Sequence, residues 1–187
     1  MTELIDELWS LPVAVTASDG GRDNGLIAVT AIPATILPDA PRVLVQLAQA
    51  SLTHELVLAS RAFAVHPLRS PPDDATLALV AALGLRSGRD GDKLSGLAVR
   101  RGTTGAPLLL DALGVLEARV AATLDLGELT VVVGDVVSVE RLHDGPALRF
   151  PELDSRMPPG WLETNRDAEV AEARRRRAVP GGGAGHG

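Results

Sequence analysis

The chain contains no cysteine. Disulfides, thiolate nucleophiles and Cys-ligated zinc or iron–sulfur centres are therefore excluded. It contains no tyrosine either, and Trp9, Phe63, Phe150 and Trp161 are its only aromatic residues. Four rings cannot build a base-stacking platform for nucleic acid. Any planar ligand would have to rest mostly on backbone and aliphatic groups. Positive charge is scarce as well: 18 Lys and Arg against 24 Asp and Glu give a net charge of −6. That balance opposes a surface for phosphate backbones, so no nucleic-acid partner is expected. No apolar run reaches the roughly 18 residues needed for a membrane-spanning helix, and no membrane partner is expected. The opening MTELIDE places acids where a secretory leader has bases, which makes a cytoplasmic protein the expectation.

Several standard motifs are missing too. There is no G-x-x-x-x-G-K-[ST] loop and no G-x-G-x-x-G after a strand, so neither a P-loop nor a dinucleotide fingerprint is present. His54-Glu55 starts like H-E-x-x-H, but Leu58 stands where the second His belongs. One ligand does not make a site, and no metal is expected.

What remains is 187 residues, 45% of them apolar, enough for one domain with a sizeable core. Leu4, Ile5, Leu8 and Trp9 predict a short amphipathic helix over 3–9. Strands are predicted over Pro12–Ala17 and Asn24–Ala31, with turns at Ser18–Gly21 and at Asp23-Asn24-Gly25. Arg42–Ala48 reads as a buried strand behind Pro41. Ser51 or Leu52 opens a helix that ends near Ser60, and Ala62–Pro67 is again a strand. Pro71-Pro72-Asp73-Asp74 starts a helix through Leu83, and residues 84–96 form a Gly-rich charged loop. Segments 108–124 and 129–139 are strand-rich around a turn at 125–128. Asp167–Arg177 predicts a helix with acids first and bases last, and the GGGAGHG end a disordered tail. Many short strands with few helices point to a mainly β barrel with peripheral helices. The domain is expected to occupy residues 1–165, with helix and tail over 166–187.

Three ordered pieces stand out: Asn24-Gly25-Leu26-Ile27-Ala28-Val29-Thr30, Pro41-Arg42-Val43-Leu44-Val45-Gln46 and Ser51-Leu52-Thr53-His54. Phe63-Ala64-Val65-His66, Asp92–Gly96, Gly105-Ala106-Pro107 and Gly134-Asp135-Val136-Val137 follow in order. Over about residues 8–150 the set resembles the flavin reductase family. The resemblance implies an antiparallel FMN-binding split β-barrel of Greek-key type. It implies FMN or FAD as cofactor, NADH or NADPH as hydride donor, a homodimer, and a monooxygenase as possible partner. It implies cofactor contacts from Asn24, Ile27, Ala28, Val29, Thr30, Gln46, Ser51, Leu52, Thr53, His66, Arg89 and Lys93. No catalytic side chain is implied, because the flavin carries the chemistry.

Physical readings run beside these. The start of a helix offers free N–H groups and a favourable dipole to a phosphate, and Ser51 and Thr53 add hydroxyls there. Helix capping alone would also explain both residues. The loop Arg86–Lys93 could close over a phosphate or a dinucleotide, or simply be a solvated charged loop. His66, where many relatives carry Asn, is either a cofactor contact or a hydrogen-bonded structural histidine. One position departs from the family pattern. Many relatives carry Gly-Asp-His-Thr before the last long strand, with the His near the flavin and nicotinamide. Here the segment is Gly127-Glu128-Leu129-Thr130, which implies weaker nicotinamide docking. Two other readings follow: a non-enzymatic FMN-binding electron carrier, and a pyridoxamine-phosphate-oxidase-like enzyme on a related barrel, which the first and third pieces fit less well.

Overall fold

Buried and more exposed residues alternate along Arg42–Ala48, as in a strand with one face inward, whereas Val13–Ala17 and Ala62–His66 are buried on both faces. The structure is a computed structural model, which describes residues 11–89, 91–161 and 174. The predicted helix over 3–9 lies outside these residues, as do the predicted C-terminal helix, except Arg174, and the tail.

Strands β1 (Val13–Asp19) and β2 (Arg22–Ala28) form a hairpin closed by Gly20 and Gly21, at φ 57° and 86°. Positive φ at both turn positions suits the twist of paired strands. Next come β3 (Ala31–Pro33), β4 (Arg42–Ala48), helix α1 (Leu52–Ser60), β5 (Ala62–Pro67) and helix α2 (Asp74–Gly84). The chain continues through β6 (Val99–Arg101), β7 (Pro107–Leu109), β8 (Gly114–Asp125), β9 (Leu129–Arg141) and helix α3 (Phe150–Asp154). Seven strands make one sheet in the order β2-β1-β5-β8-β9-β4-β3, with every pairing antiparallel. β6 and β7 form a separate hairpin.

The sheet curls into a half-barrel. Val13 and Val15 of β1, Val43, Val45 and Leu47 of β4, Phe63 and Val65 of β5 and Val132 of β9 share one core. α1 adds Leu56 and Val57 to that core. Outside the barrel, Leu79, Val80 and Leu83 of α2 pack on Ala14 of β1, together with Leu148, Leu153 and Trp161. The β6–β7 hairpin covers Ala64 and Val115. Among the described residues no helix is long and apolar enough to cross a membrane.

α1 begins at the predicted place, because Ser51 caps it. The Ser51 hydroxyl accepts from the His54 N–H at 3.1 Å. The helix ends where Arg61 takes a left-handed conformation, φ 57°, and returns its N–H to the Val57 carbonyl.

Two expectations are corrected. Asp23-Asn24-Gly25 is not a turn; it lies inside β2 opposite Ser18, Ala17 and Thr16. Gly25 serves close packing, since a Cβ there would stand 3.1 Å from Leu83 Cδ2 and 3.2 Å from Thr16 Cγ2. The predicted strand Asn24–Ala31 is also broken, ending at Ala28. β2 and β3 occupy opposite edges of the sheet, so Val29 and Thr30 must carry the chain from one edge to the other.

Candidate functional site

β2, the N-terminus of α1 and the loop leaving α2 enclose a cleft of about 400 Å³. Sites for small ligands typically measure roughly 300–1,000 Å³. Of the residues selected from sequence, Asn24, Ile27, Ser51, Leu52, Thr53, Arg89 and Lys93 line it. Three segments far apart in the chain thus converge on one hollow.

Close packing brings the loop to the strand. Gly88 lies against Asn24, so near that a Cβ would fall 1.8 Å from the Asn24 Nδ2. Asn24 is itself buried, and its Oδ1 accepts from the Gly25 N–H at 2.9 Å. Lys93 fixes the far end of the loop. Its buried ammonium donates to the Gly25 carbonyl at 3.0 Å and to the Leu83 carbonyl at 2.6 Å. A cation at the C-terminal end of α2 is also favoured by the helix dipole. Arg89 pairs with Glu55 of α1, and both side chains are about half exposed.

The start of α1 is the polar end of the cleft. The first N–H groups of a helix have no partner within it, and they attract anions. Thr53 is buried at 1% exposure, and its hydroxyl has no hydrogen-bond partner among the described residues. Leaving such a group dry and unpaired costs about 1–3 kcal/mol. The Ser51 hydroxyl accepts in its capping bond and keeps its own proton to donate. A phosphate at this point would satisfy the Thr53 hydroxyl and the helix start together.

The remaining sequence-selected residues do not line the cleft. The Ala28 side chain belongs to the barrel core. Val29 and Thr30 lie in the crossover to β3. Gln46 pairs with Val131 and alternates with the inward Val45 and Leu47, so it faces outward. His66 is fully buried away from the cleft. Its Nδ1–H donates to the Ala14 carbonyl at 3.3 Å, and its Nε2 accepts from the Leu109 N–H at 3.2 Å. Burial pushes its pKa down to about 4, against the opposing pull of the Ala14 carbonyl and the Glu117 carboxylate. Both ring nitrogens are committed to backbone. Leu129 pairs with Ala48, which lines the cleft, and so stands one strand away from it. The next residue, Thr130, meets His54 Nε2 at 2.9 Å and accepts from Gln49 Nε2 at 3.2 Å.

Sequence reasoning missed the apolar wall made by Leu83, Gly84 and Leu85. Leu83 reads as the end of a helix and Gly84 and Leu85 as the start of a charged loop, and nothing local marks the three as lining a cavity. Among the described residues no cluster of His, Asp or Glu could hold a metal ion.

A model of the flavin reductase like domain matches residues 9–152, which include every segment of the cleft. The chain is 32% identical over 139 residues to the ferric-chelate reductase (NAD(P)H) of Archaeoglobus fulgidus, covering 74% of this chain and 79% of that one. It is 31% identical over 137 residues to the high molecular weight rubredoxin of Moorella thermoacetica, covering 73% of this chain. The match spans only 58% of that longer relative. Among solved structures, an FMN-binding protein from Thermus thermophilus with bound 1-cyclohex-2-enone superposes with a TM-score of 0.62. It shares 27% identity, and the match covers 71% of each chain.

Proposed function

This chain belongs to the flavin reductase-like family, and on that premise we propose that it is an NAD(P)H-dependent flavin reductase using FMN or FAD. The flavin phosphate would sit at the start of α1. The observation that carries this reading is the buried Thr53 hydroxyl, without a partner among the described residues, in the wall of a cleft that a helix N-terminus lines. When bound, the flavin supplies the redox chemistry, accepting hydride from the nicotinamide and passing electrons on. The chain's own work is to bind and orient. Thr53 and Ser51 donate to the phosphate, and the α1 dipole favours its charge. Ile27, Leu26 and the Leu83–Leu85 wall offer aliphatic surface to a ring system. The name of the Archaeoglobus relative supports a nicotinamide donor and suggests a ferric chelate as one acceptor; a monooxygenase partner is the other acceptor proposed.

A homodimer is part of the proposal. Ile32, Leu44 and Val133 lie side by side across β3, β4 and β9 on the outer face, with Val131 and Leu124 beside them. Ile32 is 49% and Leu124 59% exposed. No described helix covers this strip, and a second copy would bury it.

Purified protein supplied with FMN should be yellow and should bleach on addition of NADH or NADPH under nitrogen. Changing Ser51 and Thr53 together to Ala should weaken flavin binding by about 1–3 kcal/mol, since hydrogen bonds to a charged group exceed neutral ones. Unaltered flavin affinity in the folded double variant would remove the phosphate from this site.

Leu129 favours a second reading, a flavin-binding electron carrier. It occupies the place where the family pattern has histidine, and it cannot donate a hydrogen bond. In the reductase, Leu129→His should raise kcat/KM for NADH, each tenfold gain corresponding to about 1.4 kcal/mol. A flavin-loaded protein inert to both nicotinamides in either form would establish the carrier.

A further inference from the structure

The Arg89–Glu55 pair occupies an unusual place. Glu55 is the fourth residue of α1. It therefore lies within the first turn, at most about 4.5 Å along the helix axis from the N–H groups that open it. Arg89 comes from the opposite wall and lines the cleft itself. A carboxylate thus draws the cleft's guanidinium toward α1, beside the site that suits a phosphate. The pair is about half exposed, at 49% and 45%, so solvent weakens it and it adds little to the fold. Arg86 lines the same wall and has no ion-pair or hydrogen-bond partner among the described residues.

We infer that Glu55 limits affinity, competing with the flavin phosphate for Arg89 so that flavin binds as an exchangeable substrate and not as a resident group. This rests on the flavin reading above. An incoming phosphate must draw Arg89 away from Glu55 and tolerate a carboxylate in the first turn of the same helix. Both effects weaken binding of the phosphorylated flavin. Neither acts on a flavin without phosphate. A reductase that hands reduced flavin to a separate acceptor needs such release.

The test is fluorescence titration of FMN and of riboflavin, which lacks the phosphate, into wild type, Glu55→Gln, Arg89→Gln and the double variant. Glu55→Gln should tighten FMN about three- to tenfold at low salt, with the gain shrinking as ionic strength rises. Riboflavin affinity should not move. Arg89→Gln should weaken FMN, and in that background Glu55→Gln should gain less. Unchanged or weaker FMN binding in Glu55→Gln would overturn the inference while the flavin reading stood. Equal tightening of riboflavin would also overturn it, since the effect would then be one of loop opening. A wild-type protein that binds neither flavin would overturn the flavin reading as well.

Discussion

Between pH 6.5 and 4 the protein is expected to lose about 3 kcal/mol of unfolding free energy through His66 alone. The folded state holds this ring neutral, with Nδ1–H on Ala14 and Nε2 receiving Leu109. The unfolded chain titrates near 6.5, and the folded protein only near 4. As pH falls through 6.5 the unfolded state takes up a proton that the folded state refuses. Stability is complete above 6.5 and drains until the folded ring also protonates. Glu117 extends the loss to lower pH. Burial would raise its pKa, but the N–H and hydroxyl of Thr104, the N–H of Thr103 and the charge of Arg100 bring it below the usual value. Its contribution is present above the unfolded carboxylate pKa and disappears as pH falls through the folded one. Urea unfolding at a series of pH values checks both. His66→Gln keeps a donor and an acceptor but cannot ionise, so its stability should be flat from 6.5 to about 4.5 while the Glu117 loss persists below. A wild-type curve flat over the same window would show that His66 is not held neutral.

Phe63→Ala should cost about 3–5 kcal/mol, the range for emptying a fully buried aromatic site. Phe63 fills the barrel beside Gly134, and it can do so only because Gly134 has no side chain. A Cβ on Gly134 would meet Phe63 Cζ at 2.7 Å and the Ala118 Cβ at 2.8 Å. Gly134→Ala should therefore cost about 1–3 kcal/mol by overpacking. The two positions share one volume, so their effects should not add. Chemical denaturation of Phe63→Leu, Gly134→Ala and their combination should give a double variant more stable than the sum of single losses. Strict additivity would mean that Ala118, and not Phe63, sets the limit at Gly134.

The sequence showed those elements whose boundaries are chemical. Pro41 before β4, Ser51 at the cap of α1 and the Asp73-Asp74 start of α2 each carry a local physical cause, and the structure agrees with them. The break between β2 and β3 has no such cause. GLIAVTAIP holds no charged residue and one hydroxyl, Thr30, and it is pairing at opposite edges of the sheet that divides it. The candidate site divides along the same line. Ser51 and Thr53 could be selected because helix starts have known donors. Lys93 and His66 have the right chemistry for a ligand, yet their polar atoms answer backbone carbonyls and amides brought near by distant strands. Residue type announces what a group can bind, while the fold decides what it meets first.

The Lys93 strut has a consequence for how this protein can diversify. One ammonium clamps β2 to the end of α2, so the frame of the hollow is inherited from the interior of the molecule. The residues on its rim, Arg86, Ser87 and Arg89, are not part of that frame. Substitutions there should leave the Lys93 contacts in place while changing what the cleft prefers to hold.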